Sequence, residues 1–126
     1  MAIDRASPIL IVDDYSRMLR IIRNLLRQLG FEQVEEAADG ASALAKLREK
    51  PFSLVISDWN MEPMSGLELL RQVRADPALA SVPFLMVTAE ARAAKIAEAQ
   101  RAGADGYIIK PFGAEALGLK IAALAA

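Results

Sequence analysis

Five side chains suited to a single reaction punctuate this chain. Asp13 with Asp14, then Asp58, Thr88 and Lys110, each stand at or just beyond the C-terminal end of a short apolar run, at residues 9–12, 54–57, 84–87 and 107–109. If those runs are parallel strands of one sheet, all five side chains meet at one rim, the edge at which open α/β sheets bind ligands. Three carboxylates, a hydroxyl and an ammonium at one rim describe a phosphoryl-transfer site built around a hard metal ion. The adjacent carboxylates Asp13 and Asp14 repel each other, and a divalent cation compensates that repulsion; oxygen donors at strand ends suit magnesium, with manganese as the alternative. Asp58 beside such a cation can attack phosphorus and form an acyl phosphate. Lys110 can pair with Asp58 and then with a phosphoryl oxygen, and the Thr88 hydroxyl can donate to another. Asn60 can offer its backbone carbonyl to the metal. Singly, each has an ordinary reading: an acidic helix start, a turn Asp, a snorkelling Lys, a strand Thr and, at Tyr107, a half-buried aromatic. Their joint placement at successive strand ends is what carries the inference.

The elements that must position them alternate between two periods. Residues 9–12 form a continuous apolar run, as in a strand covered on both faces. Ser16 can cap a following helix with Met18, Leu19, Ile22, Leu25, Leu26 and Leu29 on one face, stopped by Gly30 in a left-handed cap. A weak strand falls at 33–37, and a helix at 40–50 turns Ala43, Leu44 and Leu47 inward before Pro51. The strand at 54–57 leads through a loop to a helix at 66–75, with Leu69, Leu70 and Val73 on its apolar side and Asp76-Pro77 ending it. A strand at 84–88, an alanine-rich helix at 91–102 closed by Gly103, a strand at 107–109 and a helix from 113 burying Ala114, Leu117, Ile121 and Leu124 complete five βα units. The fold class is therefore a doubly wound α/β sheet. Arg92, Lys95 and Arg101 fall on or near the polar side of the fourth helix, where they could meet an acidic partner or simply solvate it.

Composition narrows the function. The 126 residues, 54% hydrophobic and 25% charged, fit one globular domain, expected to occupy 1–126 with no output domain. A net charge of −1 gives no pull toward nucleic acid or membrane. The chain has neither Cys nor His, which excludes disulfides, thiolate metal sites, imidazole bases and His-bound zinc, and leaves any metal to oxygen ligands, which favours magnesium, manganese or calcium. Met1-Ala2-Ile3-Asp4-Arg5 lacks a signal-peptide core and no run reaches transmembrane length, so a cytoplasmic protein is expected. No large exposed apolar seam is evident, so a monomer is expected.

These residues resemble the receiver domain of response regulators in two-component signalling, of the stand-alone CheY-like type. The resemblance runs through Ile11-Val12-Asp13-Asp14, Met18 to Gly30-Phe31, Val34-Glu35-Glu36-Ala37 and Asp39-Gly40. It continues through Ser57-Asp58-Trp59-Asn60-Met61, Val87-Thr88-Ala89-Glu90 and Ala102-Gly103-Ala104-Asp105-Gly106-Tyr107-Ile108-Ile109-Lys110-Pro111-Phe112. It implies a flavodoxin-like five-stranded parallel sheet in the order 2-1-3-4-5 with five helices, and a cis Lys110-Pro111 bond. It implies that Asp58 accepts phosphoryl from a histidine kinase, that Asp13, Asp14, Asp58 and the Asn60 carbonyl bind Mg2+, that Lys110 contacts the phosphoryl group and that Thr88 swings toward it. Tyr107 would change rotamer in step and remodel the face of the fourth helix, fifth strand and fifth helix for a downstream target, with chemotaxis and flagellar control favoured. Such a domain catalyses its own phosphorylation and dephosphorylation without being a conventional enzyme. One departure stands out: Glu62 occupies the place four residues after the acceptor where such domains usually carry Pro, and Pro63 comes one later.

Other readings start from the same residues. A phosphate sink or phosphorelay shuttle in stress or cell-cycle signalling would keep the receiver and change its task. An aspartyl phosphatase would want an acid two residues after its nucleophile, where Asn60 stands. A flavin mononucleotide carrier would want a hydroxyl- and glycine-rich cradle where Asp13-Asp14 would repel phosphate, and a P-loop nucleotidase lacks its motif altogether.

Overall fold

A computed structural model describes residues 3, 5–89 and 92–125, the last without its side chain. Glu90 and Ala91, expected in the fourth strand-to-helix connection and at the start of the fourth helix, lie outside the described residues, as do Met1, Ala2 and Asp4. The chain alternates β1 (Ile9–Val12), α1 (Ser16–Gln28), β2 (Val34–Ala37), α2 (Gly40–Glu49), β3 (Leu54–Asp58), α3 (Gly66–Ala75), β4 (Phe84–Thr88), α4 (Ala93–Ala102), β5 (Gly106–Ile109) and α5 (Ala114–Ala125). The strands form one parallel sheet in the order β2-β1-β3-β4-β5, as the resemblance implied.

The apolar runs are strands because both faces are covered. In β1, Leu10 and Val12 pack with Ala43, Leu44 and Leu47 of α2 and Leu69, Leu70 and Val73 of α3. Ile9 and Ile11 point the other way, into Leu19, Ile22 and Leu26 of α1 and Leu117 and Ile121 of α5. Alternation along the strand thus fills two cores, and a one-residue slip would exchange them. Each fully buried Leu or Ile contributes roughly 2 kcal/mol of transfer free energy, which fixes the register that aligns the site.

Edge strand β2 reads weakly because its centre is polar. Glu36 pairs with Arg23 at 2.7 Å and Glu35 with Lys46 and Lys50, so its outer rim is charged instead of apolar. Ser16 is the first residue of α1 and not its cap: Tyr15 occupies the cap position without a side-chain bond, and the Tyr15 N–H instead donates to Asp13 Oδ1 at 2.9 Å. Gly30, past the helix end, has φ 96°, as its stop role requires. Arg74, at the end of α3, donates to the carbonyls of Gly103, Ala80 and Val82 and to Asp105, tying α3 to the C-terminus of α4. The Glu62-Pro63 and Lys110-Pro111 bonds are both cis.

Candidate functional site

Strand register assembles the rim. Val12 lies opposite Ser57 and Asp58 opposite Val87, so Asp13 and Asp58 emerge side by side. Backbone bonds fix the exits: Asp13 N–H to Ala37 O at 3.1 Å, Trp59 N–H to Val87 O at 2.9 Å and Lys110 N–H to Thr88 O at 2.8 Å. Asp13, Asp58 and Thr88 are each at most 4% exposed, while Asp14 and Asn60 face solvent. A cleft lined by Asp13, Asp14, Tyr15, Met18, Asp58, Asn60 and Lys110 opens above them. Every residue expected at the site is therefore at this rim, apart from Tyr107, which lies in β5 opposite Met86 with the Lys120 ammonium 4.7 Å from its ring centroid.

Carboxylate oxygens of Asp13, Asp14 and Asp58 lie within 4.8 Å of one another. Asp13 Oδ2 is buried without a hydrogen-bond partner, an arrangement costly for a lone carboxylate and natural for a cation ligand. The donor set, all oxygen, fits Mg2+ or Mn2+. Asp58 Oδ1 has the Lys110 ammonium at 2.8 Å, though outside the angle of a directed hydrogen bond. The contact is thus a charge pair.

Burial, opposed by the Tyr15 N–H and reinforced by the charge of Asp58, raises the Asp13 carboxyl from its ordinary 3.8 to about 6. Between those values the unfolded chain has released a proton that the folded chain retains. The favourable contribution is complete below about pH 4 and is lost as pH rises through about 6. A shift of this size corresponds to on the order of 3 kcal/mol. In chelator, Asp13→Asn is therefore expected to melt above wild type at neutral pH, with the gap closing toward pH 4. Melting curves across that range check this, and a gap independent of pH would contradict it.

Reading the sequence missed Tyr15 and Met18 as wall residues of the cleft; their place just after Asp13-Asp14 was the available signal. Glu62, flagged as a departure, shares a neighbouring cleft with Asp14, Asn60 and Met61, so its charge does lie beside the site. Lys95 is a correction. It does not project from the polar side of α4: its ammonium lies 4.2 Å from the centroid of the Trp59 ring, because the indole face next to Asp58 attracts a cation and covers its stem.

Residues 9–122 match the response regulator receiver domain family. The chemotaxis protein CheY of Pseudomonas aeruginosa is 55% identical over 113 residues, covering 90% of this chain and 91% of that protein. The crystal structure of the Vibrio cholerae chemotaxis protein CheY4 superposes with a TM-score of 0.88 at 36% identity, covering 94% of this chain and 98% of that one. The receiver domain of a Pseudomonas aeruginosa sensor histidine kinase, solved with a magnesium ion coordinated in its active-site cleft, superposes at 0.85 with 25% identity, covering 96% and 99%.

Proposed function

The chain belongs to the response regulator receiver domain family, and from that premise we propose that Asp58 is its phosphoryl acceptor and that the protein is a single-domain chemotaxis response regulator. The observation that carries the assignment is Asp58 itself: a carboxylate 4% exposed, at the end of β3, with Lys110 at 2.8 Å and two further carboxylates within 4.8 Å.

An Asp58 carboxylate oxygen attacks the phosphorus of a kinase phosphohistidine; the new P–O bond forms as the P–N bond breaks, and the imidazole leaves and takes up a proton. Asp13, Asp14, Asp58 and the Asn60 carbonyl would hold Mg2+, which when bound neutralises charge on the carboxylates and phosphoryl oxygens. Lys110 exchanges its carboxylate partner for a phosphoryl oxygen. Thr88, buried at the end of β4, follows with its hydroxyl. The space it vacates admits Tyr107, and the α4-β5-α5 face changes for a downstream protein. Phosphorylation thereby biases an existing equilibrium. Hydrolysis of the acyl phosphate by water restores the carboxylate and resets the switch. No helix among the described residues is long and apolar enough to cross a membrane.

The direct test is incubation with a small phosphodonor and Mg2+, with the adduct located by mass spectrometry after trapping. One phosphoryl group on the peptide holding Asp58 is expected; an unmodified protein would overturn the assignment. A second measurement addresses coupling. Phosphorylated Lys110→Ala is expected to carry its label yet leave the Tyr107 ring resonances where they stand in the unmodified protein, as seen by NMR. A full wild-type displacement would refute the relay through Lys110.

A further inference from the structure

Lys95 occupies an electrostatically unfavourable position. It sits in the first turn of α4, at the positive end of the helix dipole, in a turn with no acidic residue and below a cap position, Arg92, that makes no side-chain cap bond. A cation there is disfavoured. What offsets this is the face of Trp59 at 4.2 Å, and Trp59 is a buried residue directly following Asp58. Helix α4 is also lightly anchored: Ala99 is its one buried residue, whereas α3 buries five. Its first turn can therefore move at little cost.

We propose that Lys95 is a positioning residue of the phosphoryl-accepting site. It holds the Trp59 ring, and with it the segment after Asp58, while the acceptor is unmodified, and it leaves the ring when a phosphoryl group arrives one residue away. This rests on the reading of Asp58 as acceptor. A phosphoryl group brings charge approaching two units, far more than a ring quadrupole offers an ammonium. Lys95 is fixed to the first turn of α4, so its displacement toward the new charge draws that turn with it. The contact thus links the chemistry at β3 to α4 by a route separate from Thr88 and Tyr107.

Beryllium trifluoride with Mg2+, added to the full chain, serves as the phosphoryl mimic. Bound mimic is read by 19F NMR, and the single tryptophan by its fluorescence, which an ammonium against the ring quenches. In wild type, binding is expected to raise emission. Lys95→Met keeps the aliphatic stem and removes the charge: it should start bright, show no further change on binding, and bind the mimic about fivefold more weakly. Lys95→Arg should restore both responses. A purely structural role would lower the melting temperature of Lys95→Met while leaving mimic affinity unchanged, which would overturn the proposal. So would equal emission changes in wild type and Lys95→Met. Absence of bound mimic in wild type would instead bring down the acceptor assignment, and this inference with it.

Discussion

Asp58→Asn is expected to take no phosphoryl group from kinase or small donor while keeping the fold. The amide matches the carboxylate in shape but offers no nucleophilic oxygen, so the loss should be complete within detection and not a matter of degree. The fold survives because the substitution removes negative charge from a crowded cluster: Asp58 is one of the groups that raise the Asp13 carboxyl. Lys110 loses its counter-charge, but its side chain is 29% exposed and can turn to water. The check is phosphoryl incorporation beside a circular dichroism melt. Labelling at the wild-type rate would remove Asp58 from its role, whereas an unfolded variant would show that the charge pair with Lys110 is structural.

The second large effect falls on a residue with no functional group. A Cβ at Gly66 would lie 2.1 Å from the carbonyl oxygen of Asp58 and 2.9 Å from the Cα of Trp59. Both are backbone atoms and cannot rotate away. The Gly66 N–H moreover donates to Trp59 O at 2.8 Å, and Ser65 caps the same turn through Glu68 N–H at 3.1 Å. The start of α3 is thereby pressed against the exit of β3. Gly66→Ala must push that exit aside, at about 3 kcal/mol, or roughly 10 °C in melting temperature for a domain of this size. It should also slow phosphorylation, since reaction at Asp58 depends on sub-ångström placement. Gly113→Ala, where an added Cβ meets nothing within 4 Å, is the matched control. Equal behaviour of the two variants would show that the close approach at Gly66 has no energetic consequence.

What was legible in the sequence was what local chemistry dictates. Ile9–Val12 and Phe84–Thr88 are fully buried strands, and an unbroken apolar run allows little else. The rim residues were legible because a strand's end fixes where the next side chain emerges. Features set by distant partners were not. Ser16 had the right chemistry for a cap, but the helix begins one residue earlier, with the Tyr15 carbonyl accepting from the N–H groups of Met18 and Leu19. Gly106 belongs to β5 although glycine argues against a strand, because its backbone pairs with Leu85 of β4. The inward turn of Lys95 depended on an aromatic face 36 residues earlier in the chain, which helical periodicity does not encode. Arg74, which bridges to four residues of the α3–β4 and α4–β5 connections, carried no local signal at all.

The buried, unpaired oxygen of Asp13 has an evolutionary consequence. A group that weakens the metal-free fold at neutral pH is one that random substitution tends to improve upon when stability alone is scored. Asn at position 13 is a single-nucleotide change from either Asp codon, and a lineage released from the need to signal would be expected to drift toward such replacements while its two cores stayed intact. Receiver-shaped descendants that have lost their acidic rim, sturdier than their ancestors and silent, are the expected fossils of that drift. An acidic rim that stays intact is correspondingly what selection for a working switch, and not for stability, would preserve.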